Sequence, residues 1–414
     1  MEKNTHPEEK KFNNLGIPTD LEGPWVTNDH AYEVAKLLND FGLSKKFGEN
    51  LFEILSAYDD YLYFTEKREC YNPGSTLALI APFLLAFGIT DKQITEVAEK
   101  NITFIPDAKE TLDVMENLGL TPCIISTSYE QYVDAVAERL EIPPDDNIYR
   151  THKTPFPIDT YAEIIKEENK ELAKNLAKKI TTLKKLDIEA STTEEDLNDD
   201  DRETIKKLND IFEELKEKGY RQVLNEVKPN GGPLKYESLV KVMKYTNMTP
   251  EQMVAIGDSI TDEDMFKNTR KNNGIAISFN GNSFALEEAD IAIVSDTTAV
   301  TGVLVDVYHS AIEKFKEEGI KNLYEKAREK LKEVVKNWDN DTLNSLETLK
   351  NEGFIHNEMY ALYCNTLQNI PKGKTAEVYW LRDDSDNKID NYKHILDLSV
   401  IKRKQVRDAV GNLG

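Results

Sequence analysis

Cysteine is scarce: Cys70, Cys123 and Cys364 are the only three in 414 residues. They are scattered, and they suggest neither an even disulfide framework nor a metal-ligand cluster. Cys123 falls in an apolar run that reads as a core strand, so a reducing cytoplasm is the expected setting. Basic residues are also in short supply. Lysine plus arginine number 52 against 75 acids, a net charge of −23, and such a balance argues against a nucleic-acid or anionic-membrane partner. Long apolar runs are missing. The longest, residues 77–87, is too short to span a bilayer and contains Pro82, so it reads as a buried helix with no stable membrane insertion. The polar first eleven residues lack the apolar core of a signal peptide and read as a frayed tail. No glycine-rich phosphate loop, zinc-ligand spacing or nucleophile elbow occurs, and Gly231-Gly232 reads as a loop.

What is present is a set of apolar runs that end in chemistry. Met253 to Gly257 reads as a buried strand that delivers Asp258, and after a short turn Asp262, to its carboxyl end. Open α/β sheets bind ligands there, and two carboxylates four residues apart can converge on one hard cation, Mg²⁺, through oxygen. A second run ends in Asp20, Leu21, Glu22 and Gly23, where period-two spacing points both acids to one side of an extended chain. A third ends in Ser126, Thr127 and Ser128, hydroxyls able to donate to a phosphate. Lys235 opens an amphipathic helix ahead of the Asp258 strand. Acid pair, hydroxyl, lysine, acid pair is an inventory for phosphoryl transfer: one carboxylate attacks phosphorus and another handles the leaving-group proton. Hydroxyl and lysine neutralise the phosphoryl oxygens, and the remaining acids hold a metal. The bland alternative for each acidic turn is a solvated helix cap. In so acidic a chain, local lysine and metal charge must override the overall field before an anionic ester can enter.

These four segments, in this order, resemble the motifs of the haloacid dehalogenase superfamily, and within it the phosphoserine phosphatase-like branch. Lys235 lies 23 positions before Asp258, similar to the family's helix-plus-strand spacing, and residues 274–280 and 289–293 resemble two further strands of that branch. The resemblance implies an α/β fold: a Rossmann-like core with a parallel sheet, built from residues 1–23, 106–154 and 226–305. It implies a helical cap at 24–105, hinged near Gly23-Pro24 and Ile105-Pro106. A charged helical insertion is expected at 155–225, with a mobile acidic tip, and a mainly helical extension at 306–414. The implied catalytic residues are Asp20 as nucleophile, Glu22 as acid and base, and Ser126 and Lys235 on the phosphoryl oxygens. Mg²⁺ is implied on Asp20, Asp258, Asp262 and Glu22, the last through its main-chain carbonyl.

The chain also departs from the pattern. The usual second acid of the first motif is Asp, where Glu22 is one methylene longer. Thr127 and Ser128 replace two glycines, which makes Thr127 a candidate substrate contact, and the substrate-amine carboxylate of phosphoserine phosphatases is matched at best by Asp29. The stretch where those enzymes carry basic residues is apolar here, near Ile80 to Phe87, which argues against phosphoserine itself; Lys67 and Arg68 read as solvated. The expected function is a Mg²⁺-dependent phosphatase of a small phosphorylated metabolite. The alternatives are phosphotransfer to an alcohol, or a subunit of a larger assembly, since the whole chain also resembles an archaeal family of energy-converting hydrogenase A subunit R proteins. Residues past Val305 show helical periodicity at 311–318, 323–338 and 343–351, a β-like segment at 376–381, and a last helix near 400–410. They carry no chemical motif, and His309, His356 and His394 are well separated, so pairing with a second copy or another protein is their expected role.

Overall fold

The computed structural model describes residues 15–41, 44–143, 148–150, 152–338, 342–369, 376–383 and 385–407. The predicted tail before residue 12 lies outside them. Seven strands form one sheet: β1 (Gly16–Thr19), β2 (Thr121–Tyr129), β3 (His152–Thr154), β4 (Val254–Gly257), β5 (Ile275–Phe279), β6 (Ile291–Val294) and β7 (Glu377–Trp380). Their spatial order is β3-β2-β1-β4-β5-β6-β7, parallel throughout except that β7 runs antiparallel to β6. Strands β4, β5 and β6 are buried along their whole length, as expected where helices cover both faces of a parallel sheet. The α/β, Rossmann-like reading of the sequence holds. Because β1 and β4 are central neighbours, with Thr19 opposite Ile256, the residues that follow them emerge side by side at the carboxyl edge.

Between β1 and β2 the chain is helical: His30–Lys36 running into a 3-10 turn, Phe47–Asp60, Thr76–Ala86, Asp91–Asn101 and Ala108–Asn117. The longest apolar run of the sequence is the helix Thr76–Ala86, and every one of its residues is buried. A helix apolar on all sides must be covered on all sides. The cover comes from Phe47–Asp60 and from the later helices Glu167–Ile180 and Arg221–Glu226, so the two inserted regions share a single apolar cluster. Each Leu or Phe buried there contributes about 2 kcal/mol. The stretch expected to be a mobile acidic tip is tied down, with Tyr61 donating to Glu194 and Thr65 to the Thr192 carbonyl. The two connections between this region and the sheet run side by side: Gly23 donates to the Val26 carbonyl and Ile105 to that of Trp25, each at 2.8 Å.

Past β6 a helix spans Ala299–Glu317. The sequence showed helical periodicity only from about 311 because residues 299–311 are all buried and so lack a polar stripe. It packs against Leu323–Lys336, Asn357–Asn369 and Ala108–Asn117. The β-like segment around Trp380 is β7, which extends the sheet itself. The last helix, Tyr392–Arg407, lies against β6 and buries Ile395, Ser399, Arg403 and Arg407. Those four recur every fourth residue and form one stripe, two of whose members are cationic.

Candidate active site

Asp20 directly follows strand β1 and Asp258 directly follows β4, and the turn after Gly257 returns Asp262 beneath them. One oxygen from each of Asp20, Asp258 and Asp262 lies within 4.8 Å of the others, and all three residues are buried. The turn is tight: Asp262 Oδ2 accepts the backbone N–H groups of Asp258 and Ser259, each at 3.0 Å. A Cβ at Gly257 would sit 2.3 Å from the Asp262 carboxyl carbon, so only glycine fits. Gly23 is equally constrained. Its φ is +93°, and a Cβ there would fall 2.1 Å from the Asp258 carboxyl carbon.

Lys235 comes from the first turn of the helix Pro233–Thr246 and is fully buried. Its ammonium donates to Asp20 Oδ2 and, at 2.7 Å, to Asp262 Oδ1. Burial disfavours that charge, but the two carboxylates outweigh it and push the ammonium up to about 12, so Lys235 is charged at neutral pH. Asp20 Oδ1 accepts the Leu21 N–H at 2.7 Å. Glu22 lies apart from the three-acid group. Its Oε1 accepts the His30 N–H at 2.7 Å, at the start of the helix that Asp29 caps through Tyr32 N–H. Burial, then Asp29, raises the Glu22 carboxyl well above the usual carboxylate range. Asp29 is raised too, again chiefly by burial.

A cavity of about 140 Å³ opens over this edge. Asp20, Glu22, Asp29 and Asp258 line it, as do Thr127 and Ser128 from the end of β2. Ser126 is fully buried below them, its Oγ accepting the Ser128 N–H at 3.3 Å. Phe52, Tyr63, Phe64 and Leu77 form an apolar wall from the helices after β1, with Asp59 and Asp60 beside them. Lys67 and Arg68 are not part of the lining, and Arg68 pairs with Glu66 at 3.1 Å.

Two lining residues come from the segment in which the sequence showed no chemical motif. Arg403 Nη1 donates to the Asp258 carboxylate and, at 3.1 Å, to its carbonyl. Arg407 Nη1 reaches the same carboxylate oxygen at 3.0 Å, while its Nε and Nη2 donate to the carbonyls of Thr27 and Asn28 at 3.2 and 2.7 Å. The reading that residues past 305 carry no chemical motif is therefore corrected. The available signal was the four-residue spacing of two arginines, obscured by the neighbouring Lys402 and Lys404. The same segment corrects the reading of its histidines as separate: the rings of His309 and His356 stack with centroids 5.6 Å apart.

Residues 123–305 match a family model described as haloacid dehalogenase-like hydrolase. Among solved structures, the gene product AF1437 from Archaeoglobus fulgidus is similar over 97% of this chain and 99% of its own, at 26% identity and TM-score 0.69. A phosphoserine phosphatase in apo form is similar over 68% of this chain and 93% of its own, at 16% identity and TM-score 0.39. None of the curated proteins matches the chain.

Proposed function

Since residues 123–305 match the haloacid dehalogenase-like hydrolase family, we propose that this chain is a Mg²⁺-dependent phosphatase of a small phosphorylated metabolite, with Asp20 as nucleophile. The observation that carries this is the buried cluster of Asp20, Asp258 and Asp262, the first and third of them bonded to Lys235, under a cavity at the sheet's carboxyl edge.

The donor set suits a hard cation: buried carboxylate oxygens, with no sulfur or imidazole among them. Asp20 and Asp258 would hold Mg²⁺ with the Glu22 main-chain carbonyl. Asp262, whose two oxygens already take three donors, would anchor the turn. Bound there, the ion supplies positive charge against phosphoryl oxygens.

Asp20 attacks phosphorus, the bond from phosphorus to the leaving oxygen breaks, and that oxygen takes a proton from Glu22, whose hold on a proton burial strengthens. Glu22, now ionised, removes a proton from water. The resulting hydroxide displaces the Asp20 carboxylate from phosphorus and inorganic phosphate leaves. Lys235 sets the orientation of Asp20 and offers charge to the phosphoryl group, and the hydroxyls of Thr127 and Ser128, with Ser126 beneath, face its oxygens. The apolar wall around Phe52 and Phe64 excludes water during transfer. Arg403 and Arg407 give the otherwise acidic cavity the cations that an anionic ester needs.

A phosphate-release screen over phosphorylated metabolites with Mg²⁺ tests the reading. Release is expected from a narrow set of small esters and from none with Asp20→Asn. Equal release by that variant would overturn it.

A further inference from the structure

A second constellation lies in the helix Ala299–Glu317. Asp306, His309, Ser310 and Glu313 recur there at three- and four-residue steps and so share one face. His356, immediately before the helix Asn357–Asn369, stands opposite. His309 is only 2% exposed, yet neither of its ring nitrogens makes a hydrogen bond. Buried polar atoms are rarely left so in a folded protein. The Glu313 carboxylate sits between the two imidazoles, with His309 Nε2 3.5 Å from Oε1 and His356 Nε2 3.5 Å from Oε2. Four donors arranged tetrahedrally at about 2.0–2.1 Å from a zinc ion stand about 3.4 Å from one another, close to the spacing between each imidazole and the Glu313 oxygen that faces it, and one ligand atom from each of Asp306, His309 and His356 lies within 4.8 Å of the others.

The other side of His356 is fixed. Its Nδ1 lies 2.6 Å from Asp306 Oδ1, its backbone N–H donates to Oδ2 at 2.8 Å, and the Ser310 hydroxyl donates to Oδ1 at 3.2 Å. A carboxylate on Nδ1 sets the tautomer that presents the Nε2 lone pair, the arrangement that orients histidine ligands in metal sites. A cavity lined by His309 and Glu313 together with Gln252, Lys316, Leu323 and Tyr324 offers a path in and room for a fourth, non-protein ligand.

We propose that His309, Glu313 and His356, oriented by Asp306, bind one divalent transition-metal ion of the Zn²⁺ class. The ion clips the helix Ala299–Glu317 to the start of Asn357–Asn369. Imidazole donors select Zn²⁺ or Co²⁺, whereas the all-carboxylate group at the sheet edge selects Mg²⁺. The two sites are separate and sort their ions by donor chemistry.

Full-length protein stripped with a chelator and returned to excess Mg²⁺ is titrated with Co²⁺, followed by visible absorption, and with Zn²⁺ against a chromogenic chelator. One equivalent of each should bind, Co²⁺ giving the intense bands of a four-coordinate site, and Zn²⁺ should raise the melting temperature. Asp258→Asn should leave this uptake unchanged. Glu313→Gln, at a half-exposed position that tolerates the change, should weaken it at least tenfold, and His356→Gln at least a hundredfold. Less than one equivalent in the wild type, unaltered affinity in Glu313→Gln, or loss of uptake in Asp258→Asn would each overturn the proposal.

Discussion

Arg403 and Asp258, 145 positions apart, form a buried ion pair at the centre of the active-site cavity, and Arg407 closes on the same carboxylate oxygen. The acid that ends β4 is thereby balanced from the last helix of the chain, and the cations stand where a metal's charge would act. On the proposed function, arginine and Mg²⁺ would compete for Asp258. Arg403→Ala should lower the Mg²⁺ concentration for half-saturation several-fold, read by calorimetry without substrate. It should also lower the melting temperature in metal-free buffer, because one partner of a buried pair is lost, a change that costs about 3–5 kcal/mol where no second cation remains. Added Mg²⁺ should restore much of that stability. Weaker Mg²⁺ binding in the variant would show that the arginine supports the metal rather than displacing it.

Lys235 bridges Asp20 and Asp262 with no exposure to solvent. Lys235→Met leaves two buried carboxylates without their shared cation, so a loss of about 3–5 kcal/mol in unfolding free energy is expected. Turnover should fall by about 10²–10³, the scale for removing one preorganised charge at a reacting centre. Denaturant melts and steady-state rates separate the two effects. A variant that is destabilised but turns over normally would confine Lys235 to a structural role.

The proposed division of labour between Asp20 and Glu22 rests on their different surroundings. Asp20 sits on Lys235, whereas Glu22 faces a helix N-terminus and burial raises its carboxyl above the usual carboxylate range. Asp20→Asn should yield no phosphorylated protein in mass spectra after rapid quenching. Glu22→Gln should accumulate it, because the attacking water has lost its base. Phosphate found on Glu22 would reverse the assignment.

The central strands could be read because each is an apolar run ending in a polar turn, and that pattern also located Asp20, Ser126 and Asp258. Lys235 could be read through its spacing from Asp258. The arginines could not. They reach the cavity only because β7 pairs with β6 and carries the last helix back across the sheet edge, a long-range event that leaves no local periodicity. The joint packing of the helices around Leu51 and Leu208 was hidden likewise, since an amphipathic helix shows that it has an apolar face but not which partner covers it. His309 and His356 are brought together by the packing of Asn357–Asn369 on Ala299–Glu317, with two further helices between them in the chain, which their separation in sequence does not reveal.

Asp59 and Asp60, which line the same cavity, supply the pH dependence. Burial pushes Asp59 up to about 6, against the hydrogen bonds it accepts from Tyr71 and Thr76. Burial, with Asp59 alongside, pushes Asp60 up to about 7. A carboxyl that holds its proton more tightly folded than unfolded stabilises the protein fully below its unfolded value, and that contribution is lost as pH rises through the folded one. Stability from these two groups should therefore decline between pH 4 and pH 8. Asp60→Asn keeps the shape and removes one titration, so its stability should fall less steeply with pH. The variant should match the wild type near pH 4 and exceed it at pH 8 by on the order of 1 kcal/mol, less than the full shift implies because the carboxylate is partly exposed and screened. Urea melts across that range decide the matter: parallel curves for the two proteins would mean that Asp60 ionises in the fold as freely as in the unfolded chain.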